Sequence, residues 1–209
     1  MLLDPASILG FAMASFAVAA SPGPTWMYVL SCSISQGKRA GMLAILGNAA
    51  GISLHVMAAT LGISIILKSS DLAFTALKLI GGGYLIYLGI KAWRNKAAFG
   101  LATEGAPKSV KSIFVEGALI NALNPKVSLL MLALLPQFIN PEQGSTAVQT
   151  AMLGLLHMGI ASSILTVLTL TSVKMGDLLR SSPRLRLIIT RCSGTVIILF
   201  GIKLLFAQN

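Results

Sequence analysis

The sequence predicts an all-α membrane protein with six transmembrane helices, built as two inverted three-helix repeats with broken helices in spans one and four. Three observations predict this fold class. Long apolar stretches fill most of the chain, proline interrupts the first and fourth of them, and the connections between them alternate in charge. Of the 209 residues, 55% are hydrophobic and 11% are charged, whereas a soluble domain has about a quarter charged residues.

The positions of charged residues set the limits of the six predicted spans. A helix needs about 20 apolar residues to cross the hydrocarbon core of a bilayer. Six stretches have that length with no charge or only one or two: 5–37, 40–67, 72–90, 112–141, 143–173 and 187–207. The sequence therefore predicts a single transmembrane domain over 1–209. Its parts are a first three-helix repeat (1–94), a cytoplasmic linker (95–111) and a second three-helix repeat (112–209).

The connections between the spans predict the orientation of the chain. Basic residues follow spans one, three and five, whereas the connection after span four contains no Lys or Arg. Because basic loops stay in the cytoplasm, both termini are predicted to lie outside it. This distribution also explains the net charge of +10 without nucleic acid, since the basic residues form no single patch. No Lys or Arg precedes the first stretch, so we expect a retained span rather than a signal peptide.

The two halves of the chain repeat the same features in the same order. A proline breaks a span at Pro24 and again at Pro125, and a histidine follows in the next span at nearly the same offset. Spans three and six share the pattern Gly-x6-Gly-Ile-Lys, at 82–91 and 194–203. Three spans in each half reverse the direction of crossing, so such a duplication produces inverted halves, as in many secondary transporters.

The two proline breaks are the strongest candidates for a transport site. Carbonyls freed by proline have no water to bond in hydrocarbon, so a broken span must line a cavity or be buried in protein. A break also offers donors at one helix N-terminus and acceptors at one helix C-terminus, which suits a zwitterion. The residues predicted to bind such a substrate lie at the breaks: Ser21, Pro22, Gly23, Pro24, Thr25, Asn121, Asn124, Pro125 and Lys126.

Lys126 is the most informative charge in the chain. A lysine near midspan costs about 2.5–3.5 kcal/mol on insertion scales, and the only acid within a span, Glu116, lies ten positions earlier. We expect the Lys126 ammonium to bond carbonyls of the other broken span, to bind a substrate carboxylate, or to do both. In the alternative, the span ends earlier and the lysine snorkels to the interface. The apolar run 127–135 argues against that alternative.

Three titratable residues within the spans are candidates for carrying a proton: His55, Glu116 and His157. Histidine titrates in the physiological range, although a lone histidine in an apolar helix is more often a packing residue. Glu116 lies near the cytoplasmic end of span four, where it could instead pair with Lys111 or Lys38. The segment 47–51 has the small-xxx-small pattern of close helix packing.

Nearly the whole chain carries an ordered series of short motifs: Ser21-Pro22-Gly23-Pro24, Gly37-Lys38-Arg39-Ala40-Gly41, Lys78-Leu79-Ile80-Gly81-Gly82-Gly83-Tyr84-Leu85, Asn124-Pro125-Lys126 and Leu135-Pro136-Gln137-Phe138. In this order they resemble the LysE/RhtB family of amino-acid exporters. The resemblance implies a protein of the cell (inner) membrane, not an enzyme, that exports amino acids with the proton gradient as its driving force. Members of that family handle threonine, homoserine, basic or branched amino acids. With Glu116 as the only acid in the spans, we expect neutral, threonine- or homoserine-like substrates.

Two other functions stay open from the sequence. A passive amino-acid channel would use the same site without proton coupling. A membrane thiol–disulfide relay would use Cys32 and Cys192, although these lack the spacing of a redox motif, a disulfide framework or a zinc site. The sequence indicates no cofactor and no metal, and the expected partners are amino acids, protons and the lipid bilayer. It leaves open whether copies of the chain form a homo-oligomer.

Overall fold

The computed structural model describes residues 3–69, 71–94 and 107–206, and these fold into helices without a strand. Most of the predicted linker, 95–106, lies outside the described residues. The α-helices are α1 (Pro5–Ala20), α2 (Pro24–Gln36), α3 (Lys38–Ser69), α4 (Asp71–Arg94), α5 (Val110–Ala122), α6 (Pro125–Leu129), α7 (Thr146–Leu170), α8 (Ser172–Ser181) and α9 (Pro183–Phe206). The all-α class predicted from the sequence is confirmed for this part of the chain.

Both predicted helix breaks are present. α1 and α2 form one bent pair with an angle of 56°, and α5 forms a second with the segment Pro125–Phe138, with an angle of 46°. Pro24 and Pro125 begin the second half of each pair. At a helix start the missing proline N–H removes no hydrogen bond, so each proline ends one helix and begins the next.

The helix after the second break is irregular, which the sequence did not predict. α6 is only five residues long, and it continues into a π-helical turn over Leu130–Leu134 and a 3-10 turn over Leu135–Phe138. Pro136 lacks the N–H that an α-helical ladder would need at this position. A short 3-10 turn over Pro141–Gln143 then leads to α7.

Membrane-spanning length can be assigned to four units among the described residues. Lys38–Gly62 within α3 and Thr146–Leu170 are each long and apolar enough to cross a membrane, and each bent pair qualifies as one further span. The count of six spans and their inverted arrangement stay predictions. α8, which the sequence did not predict as a separate helix, lies in the connection before α9 and contacts α2.

α3 packs against α2, α5 and α7 and so lies between the two halves of the chain. Glycines allow α3 and α5 to approach closely. A Cβ added to Gly47 would lie 2.2 Å from the Phe114 carbonyl oxygen, and one added to Gly51 would lie 2.6 Å from the Ala118 carbonyl oxygen. The predicted packing motif at 47–51 therefore packs helices within one chain, as small residues do in membrane helices.

α4 and α9 pair through the two Gly-x6-Gly patterns. A Cβ on Gly89 would lie 2.6 Å from the Gly194 carbonyl oxygen, and one on Gly201 would lie 2.8 Å from the Gly82 carbonyl oxygen. The pairs 82–201 and 89–194 show that the two helices run antiparallel. The repeated patterns thus meet face to face, and their lack of side chains lets the two backbones touch.

Candidate functional site

The two broken spans meet at their breaks. Lys126 Nζ donates a hydrogen bond to the carbonyl oxygen of Ser21 at 2.6 Å. Asn124 Nδ2 donates to Thr25 Oγ1 at 3.4 Å. Gly23 lies beside the lysine, since a Cβ added there would be 3.5 Å from Nζ. The structure therefore brings the two sets of residues predicted from the prolines into direct contact.

Lys126 has a carbonyl partner rather than a carboxylate. The one ion pair in the described part of the chain joins Lys108 and Glu116, so the ammonium of Lys126 is held by the Ser21 carbonyl. Carbonyls just past a helix C-terminus carry partial negative charge, which favours a cation there. Of the roles expected for Lys126, the bond to the other broken span is the one that the geometry contains.

Side chains satisfy carbonyls that the breaks set free. At the first break, Trp26 Nε1 donates to the carbonyl oxygen of Ala19 at 2.7 Å. At the second, the carbonyl oxygen of Asn121 accepts from His55 Nε2 at 3.0 Å. Asn124 Oδ1 caps the following helix by accepting from the backbone N–H of Lys126 at 3.1 Å. These bonds replace the partners that a continuous helix would have supplied.

A closed cavity of about 30 Å³ lies between the breaks. Its polar lining comes from both breaks and from α3 and α7: Thr25, Asn48, Asn121, Asn124, Lys126 and His157. A volume of this size has room for about two water molecules, whereas sites that bind small molecules have about 300–1,000 Å³. The cavity must therefore widen before an organic solute can occupy it.

The predicted site residues divide into two groups. Gly23, Thr25, Asn121, Asn124 and Lys126 line the cavity. Ser21, Pro22, Pro24 and Pro125 do not line it. The prolines determine where the helices end and begin, and Ser21 supplies the carbonyl that Lys126 binds.

Asn48 belongs to the cavity although the sequence analysis did not select it. It lies on α3, is 1% exposed, and its Oδ1 accepts a hydrogen bond from Asn121 Nδ2 at 2.6 Å. The signal that could have found it is its chemistry, because a polar side chain in the middle of an apolar span often marks a functional site. We had interpreted 47–51 through its glycines alone.

Three buried polar atoms of the lining residues have no hydrogen-bond partner in the described part of the chain: Asn48 Nδ2, Asn121 Oδ1 and His157 Nε2. Buried polar groups in native proteins are nearly always paired, and an unpaired one costs about 1–3 kcal/mol. A polar ligand that bonded these atoms would remove that cost. The cavity is thus built to accept hydrogen-bonding groups.

The two histidines occupy different places around the site. His157 Nδ1 and Ser15 Oγ share a hydrogen bond of 2.7 Å, which leaves Nε2 as the free ring nitrogen of a residue that lines the cavity. His55 does not line the cavity, and its Nε2 is bonded to the Asn121 carbonyl. Each histidine therefore contacts the broken span of the other half of the chain.

Glu116 lies outside the cavity, near the start of α5. It forms an ion pair with Lys108 and accepts from Ser112 Oγ at 2.8 Å. Its partner is thus Lys108 rather than Lys111 or Lys38, because the chain places Lys108 just ahead of the helix that carries Glu116. Lys108 also lies 5.2 Å from the centre of the Tyr28 ring on α2.

The two cysteines are both free thiols. Cys32 is buried in α2, and Cys192 is exposed on α9. Among the described residues no group of three or more His, Cys, Asp or Glu side chains could hold a metal ion. The polar chemistry of the site therefore comes from a lysine, amides, hydroxyls, a histidine and backbone carbonyls.

The fold and the site define a helical membrane protein with two broken spans around a closed polar cavity. The chain belongs to the family of LysE type translocators, whose family model matches residues 16–208. This membership confirms the resemblance predicted from the ordered motifs.

Relatives support the same family. An uncharacterized membrane protein of Vibrio cholerae is 31% identical over 173 residues, which cover 83% of this chain and 84% of that protein. A homoserine/homoserine lactone efflux protein of Salmonella typhimurium is 28% identical over 199 residues, covering 95% of this chain and 96% of that protein. An uncharacterized membrane protein of Bacillus subtilis is 38% identical over 128 residues, covering 57% of this chain and 61% of that protein. No solved structure matches the chain.

Proposed function

We propose that this protein is a secondary transporter that exports neutral amino acids from the cytoplasm in exchange for protons. The observation that carries the proposal is the meeting of the two breaks around one closed polar cavity, with Lys126 bonded across it to Ser21. Broken spans with buried polar walls are how transporters hold a solute at midplane. Membership of a translocator family and a relative named as a homoserine efflux protein support the same activity.

The bond between Lys126 and the Ser21 carbonyl suggests how a zwitterion would bind. A substrate carboxylate would compete for the Lys126 ammonium, since charge-assisted hydrogen bonds are stronger than those to neutral carbonyls. The Ser21 carbonyl, once released, would be free to accept a hydrogen bond from the substrate ammonium. One internal bond would thus be exchanged for two bonds to the substrate, and both partners are already in place.

The charges around the cavity favour a neutral side chain on the substrate. Its described lining contains no carboxylate, and Glu116 is paired with Lys108 away from it. A basic side chain would find no acid there, and an acidic one would have to share Lys126 with the substrate carboxylate. Threonine- and homoserine-like substrates fit this environment.

Of the three proton-coupling candidates, His157 is the one that the geometry favours. Its free Nε2 belongs to a residue that lines the cavity, together with Lys126. A protonated His157 would repel the substrate ammonium, so the proton and the substrate would occupy the site in turn. Exchange transport requires such alternation. His55 is held by a backbone carbonyl and Glu116 by an ion pair.

The proposal includes six spans in two inverted repeats, with both termini outside the cytoplasm. The antiparallel glycine contacts between α4 and α9 support the inverted repeats. So do the hydrogen bonds that each histidine makes to the broken span of the other half. The distribution of basic residues between the spans supports the orientation.

Flux measurements in vesicles test the proposal against a passive channel. Vesicles containing the protein and a labelled amino acid are given a proton gradient, and accumulation against the amino-acid gradient is followed with and without an uncoupler. A proton-driven carrier accumulates the amino acid and stops when the uncoupler is added. Downhill flux alone, unchanged by the uncoupler, would instead indicate a channel.

A further inference from the structure

One pair of polar residues in the cavity is not needed for the charged ends of a zwitterion. Asn48 on α3 and Asn121 on α5 are 1% and 2% exposed, and one hydrogen bond of 2.6 Å joins their amides. That bond leaves Asn48 Nδ2 and Asn121 Oδ1 without partners among the described residues. Turning both amides over would exchange the two roles, but one free donor and one free acceptor would still face the ligand.

The free donor and acceptor restrict the chemistry of what can bind beside them. A carboxylate would meet the Asn121 carbonyl oxygen, and an ammonium would meet the Asn48 amino group, so each would bring like charges together. An alkyl group would leave both amide atoms unpaired. A hydroxyl both donates and accepts, so it satisfies the pair. A carboxamide would also do so, but a cavity of about 30 Å³ favours the smaller group.

We propose that Asn48 and Asn121 form a subsite that selects amino acids with a side-chain hydroxyl, and that Asn48 is a specificity-determining residue. This inference rests on the proposed export function. The two subsites have separate tasks. Lys126 and the backbone at the breaks bind the charged groups that all amino acids share, whereas the amide pair binds the group that distinguishes one side chain from another.

The wild-type protein provides the first test, which needs no variant. Efflux from preloaded vesicles is compared for threonine against valine and for homoserine against norvaline, because each pair differs only by a hydroxyl in place of a methyl group. We expect the hydroxyl substrate to be preferred by about tenfold, since an alkyl analogue leaves buried amide atoms unpaired. Equal efflux within both pairs would overturn the inference. No efflux of any of the four above protein-free vesicles would instead contradict the export function itself.

Asn48→Leu provides the second test, because leucine has a similar volume without the amide. We expect the hydroxyl preference to fall to about one, with valine and norvaline still exported. The matched control is Thr169→Val, which removes an equally buried hydroxyl outside the cavity and should keep the wild-type preference. An unchanged preference in Asn48→Leu would overturn the assignment, as would an equal loss of all four substrates.

Discussion

The two helix breaks have the same proline-directed shape but are stabilised in different ways. At the second break, Asn124 caps the following helix with its own side chain. At the first break, Gly23 occupies the corresponding position and offers no side-chain cap. The freed carbonyls of the first break are bonded instead by Trp26 and, from the other half of the chain, by Lys126.

This difference shows how substrate binding and shape could be linked. The second break is stabilised locally, so its conformation depends little on the rest of the molecule. The first break depends on a lysine that, in the proposed mechanism, the substrate carboxylate also needs. A substrate that draws Lys126 away would therefore loosen the first break and leave the second intact. The predictions below test this asymmetry.

Replacing Lys126 should have the largest effect. Lys126→Met removes the cation that binds the carboxylate, so we expect export to fall by at least about tenfold to a hundredfold, the range for losing a hydrogen bond to a charged group. Folding should survive, because the change also removes a costly charge from the span. Lys126→Arg is the matched control and should retain part of the activity. Undiminished export by Lys126→Met at normal membrane levels would refute the site.

The histidines that contact opposite breaks should have different effects on coupling. His157→Gln should abolish the stimulation of export by a proton gradient while leaving downhill exchange of amino acids, because glutamine can bond Ser15 but cannot carry a proton. His55→Gln should keep the stimulation, since glutamine can still donate to the Asn121 carbonyl. Stimulation that survives in His157→Gln, or disappears in His55→Gln instead, would show that the proton is carried elsewhere.

Removing the cap of the second break should reduce stability by a moderate amount. Asn124→Ala should lower the free energy of unfolding by about 1 kcal/mol, as loss of a helix N-cap typically does. This corresponds to about 2–4 °C in the melting temperature measured in detergent. Gly23→Ala is the comparison at the first break. Its backbone is extended (φ −173°), and the added Cβ would make an ordinary contact of 3.5 Å with Lys126 Nζ. A larger loss for Gly23→Ala would reverse the asymmetry.

The smallest effect is expected at Trp26. Trp26→Phe keeps an aromatic ring but removes the N–H that bonds the Ala19 carbonyl, which should cost about 0.5–1 kcal/mol. Because this bond belongs to the first break, adding Lys126→Met should make the combined loss differ from the sum of the separate losses. A double-mutant cycle on thermal stability measures that difference. Strict additivity would show that the two bonds do not stabilise the first break together.

The sequence predicted those features of the site that arise from local chemistry. Proline lacks an N–H whatever surrounds it, so both breaks could be located to within a residue or two. The absence of a nearby acid likewise led to the expectation that Lys126 bonds a carbonyl. Asn48 was missed because its role depends on how α3 packs on α5, and the spacing of its neighbouring glycines indicates only that packing occurs. The irregular helix Leu130–Phe138 was missed because an apolar run gives no signal of π or 3-10 geometry.

Protection of a thiol placed between the breaks tests the central claim most directly. In the Cys32→Ala/Cys192→Ala background, Thr25→Cys puts one thiol on the cavity lining, and labelling by a small maleimide is followed with and without homoserine. Export by that background would also exclude the thiol–disulfide relay. Cys192, retained alone as an exposed control on α9, should react equally in both conditions. We predict that homoserine slows labelling at Thr25→Cys and leaves Cys192 unchanged. Equal labelling at both positions, in vesicles that export homoserine, would contradict the claim that the two breaks enclose the substrate site.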